Sequence, residues 1–150
     1  WGVIKKGFTH FAEKDVVVAK ITPCFENSKA GIMKNLKNKI GAGTTELHVF
    51  RGNLKFIIPK YVYIYFKSPN FLEIGKSKMT GTAGQQRVPK EFITKNPFPL
   101  PPVEEQKRIV EKVDKLMEFC DNLEENINEN KNNSEQLMGA VLTEVFENGR

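Results

Sequence analysis

Hydrophobic positions fall along the chain in two unlike regimes, short clustered runs as far as residue 96 and one long periodic stripe after residue 102. In the first regime, Asp15-Val16-Val17-Val18-Ala19-Lys20-Ile21 is short, β-branched and closed by Thr22-Pro23, the pattern of a buried strand. Thr44 to Phe50 alternates, with Leu47 and Val49 on one face, and predicts a second strand. Asn27 to Gly43, rich in Lys, Asn and Gly, reads as loops around short elements. In residues 59–78 the aromatic and β-branched residues favour a strand, but Pro59 and then Ser68-Pro69 supply helix-start signals. Two short helices in tandem are expected there. A polar loop follows over Gly81 to Arg87, then a short helical turn near Lys90–Lys95.

Residues 97–102, P-F-P-L-P-P, are mostly proline and cannot continue a preceding helix. Pro102 or Val103 can open the next helix, with Glu104 and Glu105 favourable to its dipole. From Val103 to Met138 neither Pro nor Gly occurs. Positions spaced alternately four and three apart are Ile109, Val113, Leu116, Cys120, Leu123, Ile127, Asn130, Ser134, Leu137 and Val141. Only Asn130 and Ser134 are polar, so this is a coiled-coil seam. About 45 residues of helix span roughly 67 Å, and a lone helix with one apolar stripe needs a partner helix. N-E-N-K-N-N-S at 128–134 is poor helix and offers a break. The pattern predicts an α+β protein: a mixed α/β domain over residues 1–96, a stiff proline-rich hinge at 97–102, and a long C-terminal coiled-coil helix over 103–147. The chain starts at Trp1 and not Met, so a fragment or processed form, with the domain cut at its N-terminus, is expected.

Charge divides at the same point. Residues 1–102 carry 17 Lys/Arg against 6 Asp/Glu, and residues 103–150 carry 6 against 12, within an overall net charge of +5. The basic part also holds 13 of the 15 aromatics. A basic, aromatic-rich body joined to an acidic extension suggests a polyanion binder with a protein-facing arm. Solvating lysines are the plainer alternative. Cys24 and Cys120 form no disulfide framework, so a reduced, cytoplasmic protein is expected, and with His10 and His48 they make no metal-ligand spacing. No run reaches the apolar length needed to cross a bilayer.

Enzyme motifs are lacking. There is no G-x-x-x-x-G-K-[ST] loop, G-x-S-x-G elbow or H-E-x-x-H helix, and the six carboxylates of the basic part are scattered. Asn96-Pro97-Phe98-Pro99 has the wrong order for the N-P-P-[FYW] motif of amino-group DNA methyltransferases. Two turn-prone stretches instead carry groups suited to base edges and phosphates: Thr22, Asn27, Ser28 and Lys29 in one, Thr80, Thr82, Gln85, Gln86 and Arg87 in the other. Gln can pair with adenine and Arg with guanine, so Gln-Gln-Arg beside glycines can be a reading head. The same groups can equally tie down the loop's own backbone.

Four stretches, A-K-I-T-P-C-F-E-N-S-K-A-G-I (19–32), G-A-G-T-T-E-L-H-V-F-R (41–51), M-T-G-T-A-G-Q-Q-R-V-P-K-E-F (79–92) and the segment from Pro97 to Glu124, resemble the specificity subunits of type I restriction-modification systems. The proline block followed by E-Q-x-R-I-V and a long helix is the most specific of them. The resemblance implies a non-catalytic target-recognition domain reading one half of a bipartite site in double-stranded DNA. It implies no cofactor of its own, since methyltransferase subunits docked on the helix carry cofactor and chemistry, and a restriction/motor subunit cuts. It also implies a second spacer helix, from the same subunit or another chain, pairing antiparallel; a homodimer is one such arrangement. Motifs shared across recognition domains that differ in target are framework more often than base readers, which counts against Gln86 and Arg87 as readers. The other readings are a coiled-coil adaptor with a basic protein-binding domain, and a stand-alone DNA-modifying enzyme.

Overall fold

The computed structural model describes residues 7–147. They form two compact units that divide after Val110.

The first unit is built on two small antiparallel sheets. One pairs β1 (Thr9–Ala12) with β4 (Ile40–Gly43); the other has the order β3 (Ala30–Ile32), β2 (Val16–Ala19), β5 (Leu47–Phe50). The central strand β2 is buried along its whole length, as its β-branched composition demands, with Val17 opposite Gly31 and Val49. Its alternate residues Val16 and Val18 join Phe25, Val62, Phe66, Phe71, Val88 and Phe92 in the core. Both expected strands form, shorter than their sequence runs. Asn27 to Gly43 holds β3, β4 and a 3-10 turn at Lys37–Lys39.

The tandem helices form as expected, α1 over Pro59–Phe66 and α2 over Pro69–Ser77. Ser68 caps α2 by accepting from the Phe71 N–H at 3.3 Å, and Pro occupies the first position of each helix. Gly75 of α2 is buried because the Phe25 ring lies against its Cα; a methyl group there would collide with that ring. The short helix α3 spans Lys90–Lys95. Asn96, just after it, donates its amide to the Tyr65 hydroxyl at 2.6 Å, a structural role that fits the wrong order of its N-P-F-P neighbourhood.

The proline block is strapped along α1. Tyr65 donates its hydroxyl to the Pro97 carbonyl and Tyr61 to the Pro99 carbonyl, each at 2.9 Å. Two residues of extended chain advance about 6–7 Å, and four residues of helix rise about 6 Å, so alternate carbonyls match tyrosines one turn apart. Phe98 packs its ring against Tyr65, Tyr61 and Phe50. The last tie is Gln106, fully buried in the opening turns of α4 (Val103–Glu147). Its Oε1 accepts from the Ile58 N–H at 3.0 Å, and its Nε2 donates to the carbonyls of Phe56 and Pro101, both at 2.8 Å.

Asp15 is the other buried polar residue of the core. Its carboxylate accepts from the Ala12 N–H and receives both Nε and Nη2 of Arg51, at 2.7 to 2.8 Å. Burial by itself would raise its pKa; the hydrogen bonds from Arg51 and Ala12 outweigh that and hold it below the usual value.

In the second unit α4 runs on through residues 128–134 without a break, Ser134 donating its hydroxyl to the Asn130 carbonyl at 2.8 Å. Between residues 111 and 146 every side chain is exposed except the half-buried Val113. Leu116, Leu123, Ile127, Leu137 and Val141 are thus an uncovered apolar row, with Cys120 also exposed, while Ile109 in the first unit is half-buried.

Replacing Gln106 with Leu strands one N–H and two carbonyls in the interior. A loss of about 3 kcal/mol is expected in urea denaturation, at roughly 1 kcal/mol per stranded group; a loss below 1 kcal/mol would deny Gln106 this role. For Asp15 the folded pKa lies below the unfolded one. Its contribution is therefore fully present above the unfolded value and disappears as pH falls through the folded value. Stability is expected to decline below about pH 4 and Asp15→Asn to flatten that decline, at a cost of about 2 kcal/mol at pH 7. An identical acid profile in the variant would assign the decline to other carboxylates.

Candidate nucleic-acid interface

The two polar stretches are distant in sequence, their clasping residues Thr22 and Gln86 lying 64 positions apart, and the fold brings them together. Thr22 donates its backbone N–H to the Gln86 carbonyl at 2.9 Å and accepts the Gln86 N–H on its hydroxyl at 3.1 Å. Val88 donates to the Lys20 carbonyl at 2.8 Å, and Ile21 pairs with Arg87 as an isolated antiparallel bridge. Residues 86–88 thus lie against 20–22 as a short added strand.

The second stretch is a hairpin. Thr80 and Arg87 exchange both backbone hydrogen bonds, at 3.0 and 2.8 Å, and Gln85 donates to the Thr82 carbonyl at 2.9 Å. Gly81 makes the closure possible: its φ is +125°, and a Cβ there would stand 2.8 Å from the Gln85 carbonyl oxygen. Thr82 and Gln85 are exposed on the tip, while Gln86 is half-buried at the clasp. In the first stretch Phe25 is fully buried and pins the turn, leaving Asn27 and Lys29 exposed and Ser28 half-buried. Glu26 reaches Lys76 of α2 at 3.4 Å.

Of the residues singled out by type, Asn27, Lys29, Thr82 and Gln85 present exposed side chains. Thr22, Gln86 and Arg87 are engaged within the fold. Arg87 grips Glu46 with a two-pronged fork, Nε on Oε2 and Nη2 on Oε1, both at 2.9 Å. Its Nη1 donates to the Gln85 carbonyl at 3.1 Å. The Arg87 hydrogen bonds pull the Glu46 carboxyl below its ordinary pKa, so the pair stays ionised at neutral pH. His48 Nε2 lies 2.9 Å from the Val88 carbonyl, which it can meet only as a donor. Burial lowers the His48 pKa, favouring the neutral ring.

Sequence reasoning did not find Glu46, Gln106, Tyr61 or Tyr65. The most specific available signal was Gln106 inside E-Q-x-R-I-V. Glu46 lies inside G-A-G-T-T-E-L-H-V-F-R, but nothing local marks its pairing, because its partner lies 41 residues away. An open groove of about 570 Å³ lies alongside, lined by Lys29, Cys24, Ile21, Thr44 and Glu46 among others. Among the described residues no group of three or more His, Cys, Asp or Glu is placed to hold a metal, and no helix is long and apolar enough to cross a membrane.

The geometry is therefore one of presentation: a braced hairpin and a pinned turn on a lysine-rich body. Comparison with known proteins agrees with it. The chain is 53% identical over 142 residues to the type I restriction enzyme EcoAI specificity subunit of Escherichia coli and 50% identical over 142 residues to the EcoEI specificity subunit, covering 95% of this chain and 24% of either relative. It is 29% identical over 92 residues, 61% of this chain and 20% of the relative, to the EcoKI specificity subunit of Escherichia coli strain K12. The chain thus spans about a quarter of the length of these relatives. No solved structure matches it. With residues 1–131 matching the family described as type I restriction modification DNA specificity domain, the chain belongs to that family.

Proposed function

We propose that the chain is a non-catalytic DNA-recognition segment of a type I restriction-modification complex, reading one half of a bipartite target in double-stranded DNA. Residues 1–96 are the recognition domain, 97–102 the stiff connector and 103–147 the spacer helix. The family match over most of the chain carries the reading, and the clasped polar turns of the basic unit support it. Asn27, Lys29, Thr82 and Gln85 are the exposed contacts; Thr22, Gln86 and Arg87 act by shaping the same surface. Methyltransferase subunits dock on α4 and supply cofactor and chemistry, and a restriction/motor subunit joins the full assembly. The seam of Ile109, Val113, Leu116, Cys120, Leu123, Ile127 and Leu137 takes a second spacer helix, from the same subunit or from another copy.

Exchanging these residues for the matching region of a full-length relative, then sequencing the host methylome, is expected to change one half-site and leave the other. An unchanged methylation pattern in an active complex would refute recognition by this segment. DNA affinity of that complex should fall with salt by about 0.9 log units per log unit for each phosphate neutralised. Charged residues in place of Leu116 and Leu123, both exposed, should abolish helix pairing while the first unit stays folded. An oligomeric state unchanged by light scattering would refute the seam.

A further inference from the structure

We propose that the Glu46–Arg87 pair is a lock that presets the 80–87 hairpin for base reading, with Glu46 and Arg87 as positioning residues and Thr82 and Gln85 as the readers. This rests on the recognition reading above.

Arginine reads guanine by offering two parallel N–H groups to one base edge. In this fold that edge of Arg87 is taken by the Glu46 carboxylate, and the remaining nitrogen, Nη1, holds the Gln85 carbonyl. Reading a base with the Nε/Nη2 edge of Arg87 would mean breaking a bidentate ion pair. Turning the guanidinium to do so would also cost the Nη1 bond that ties the side chain to the tip at Gln85. The lock acts at the right place. It joins the residue before β5 to the returning strand of the hairpin, next to the Thr22–Gln86 clasp on the same strand. The tip between Thr80 and Gln86 turns on Gly81, at a φ of +125° that glycine tolerates, and the Arg87 Nη1 bond to the Gln85 carbonyl ties that tip to the locked side chain. Presetting the tip removes ordering entropy from the binding step, and that benefit falls on the matched sequence. Glu46 is itself informative. A carboxylate beside DNA repels phosphate, so its place next to the reading tip is accounted for by Arg87 and not by contact with DNA.

Charge and geometry give opposite signs for Glu46, and that separates the two roles. The test uses a full-length specificity subunit carrying these residues, assembled with its methyltransferase subunits. Affinity is measured for the preferred site, for single-base variants of it, and for unrelated DNA. Glu46→Ala is expected to raise affinity for unrelated DNA, because a negative charge is removed, yet lower discrimination against single-base variants about tenfold. Arg87→Ala should lose discrimination similarly while weakening binding to unrelated DNA. The exchange Glu46→Arg with Arg87→Glu rebuilds the pair in reverse and should restore discrimination for the original sequence. The lock is overturned if Glu46→Ala keeps full discrimination while Arg87→Ala abolishes it, which would make Arg87 a reader. It is equally overturned if the exchange variant, with an unfolding midpoint like that of the unaltered protein, fails to discriminate. An unaltered complex whose half-site does not follow these residues defeats the recognition reading itself, and the lock with it.

Discussion

The buried side-chain amide of Gln106 is the contact on which the arrangement of the first unit depends. Prolines have no N–H, so the segment 97–102 brings carbonyls to the protein surface with few donors of its own. Those carbonyls need partners, and side chains supply them: Tyr65 for Pro97, Tyr61 for Pro99 and Gln106 for Pro101. Gln106 does more than the tyrosines, because its other bonds reach Ile58 and Phe56 at the entrance to α1. One residue thereby fixes three things, the start of α1, the end of the proline strap and the first turns of α4. The carboxamide suits this because it is both donor and acceptor. A carboxylate would face two carbonyls with no proton to give.

From α1 the constraint passes through the core to the candidate interface. Val62 and Phe66 of α1 pack with Val16 and Val18 of β2, and with Val88 at the root of the hairpin. Carboxylates are used sparingly along the way. Glu13 accepts the N–H groups of Asn35 and Leu36, Asp15 holds Arg51, Glu26 meets Lys76 and Glu46 grips Arg87. Four of the six acidic residues before the proline block are thus committed to bracing turns and strand ends. The positive balance comes from composition, and with most carboxylates engaged in the framework while most lysines stay exposed, the surface of this unit is more basic than the count alone conveys.

What could be read from the sequence was what neighbouring residues decide. Pro59 and Ser68-Pro69 fix the starts of α1 and α2 locally, and β2 is declared by its run of valines. The pairing of β1 with β4 was not legible, because Ile-Gly-Ala-Gly has no strand propensity of its own. It is a strand because Thr9–Ala12 lies beside it, and Gly41 leaves room for the Phe11 ring. The candidate interface followed the same rule. Residue types marked both polar stretches correctly as turns, but only the fold shows that Arg87 is occupied by a glutamate 41 positions away. Side-chain chemistry gives what a group can do, and tertiary contacts decide whether it is available to do it.

The long helix shows the division most plainly. Helix formation is limited by its first turn, where several dihedral angles are fixed for a single hydrogen bond. Gln106 removes that limit by anchoring the opening turn of α4, and the pairs Glu104–Lys107 and Glu105–Arg108 support the same turn, each over three residues. Beyond Val113 the apolar row of Leu116, Leu123, Ile127 and Leu137 is exposed. Secondary structure there is propagated from an anchored start and does not draw on burial of that row. The poor helix formers around Asn130 and Ser134 are carried along by that propagation. They leave a polar interruption in the middle of an otherwise apolar row, held helical by backbone hydrogen bonds that need no apolar side chain at those positions.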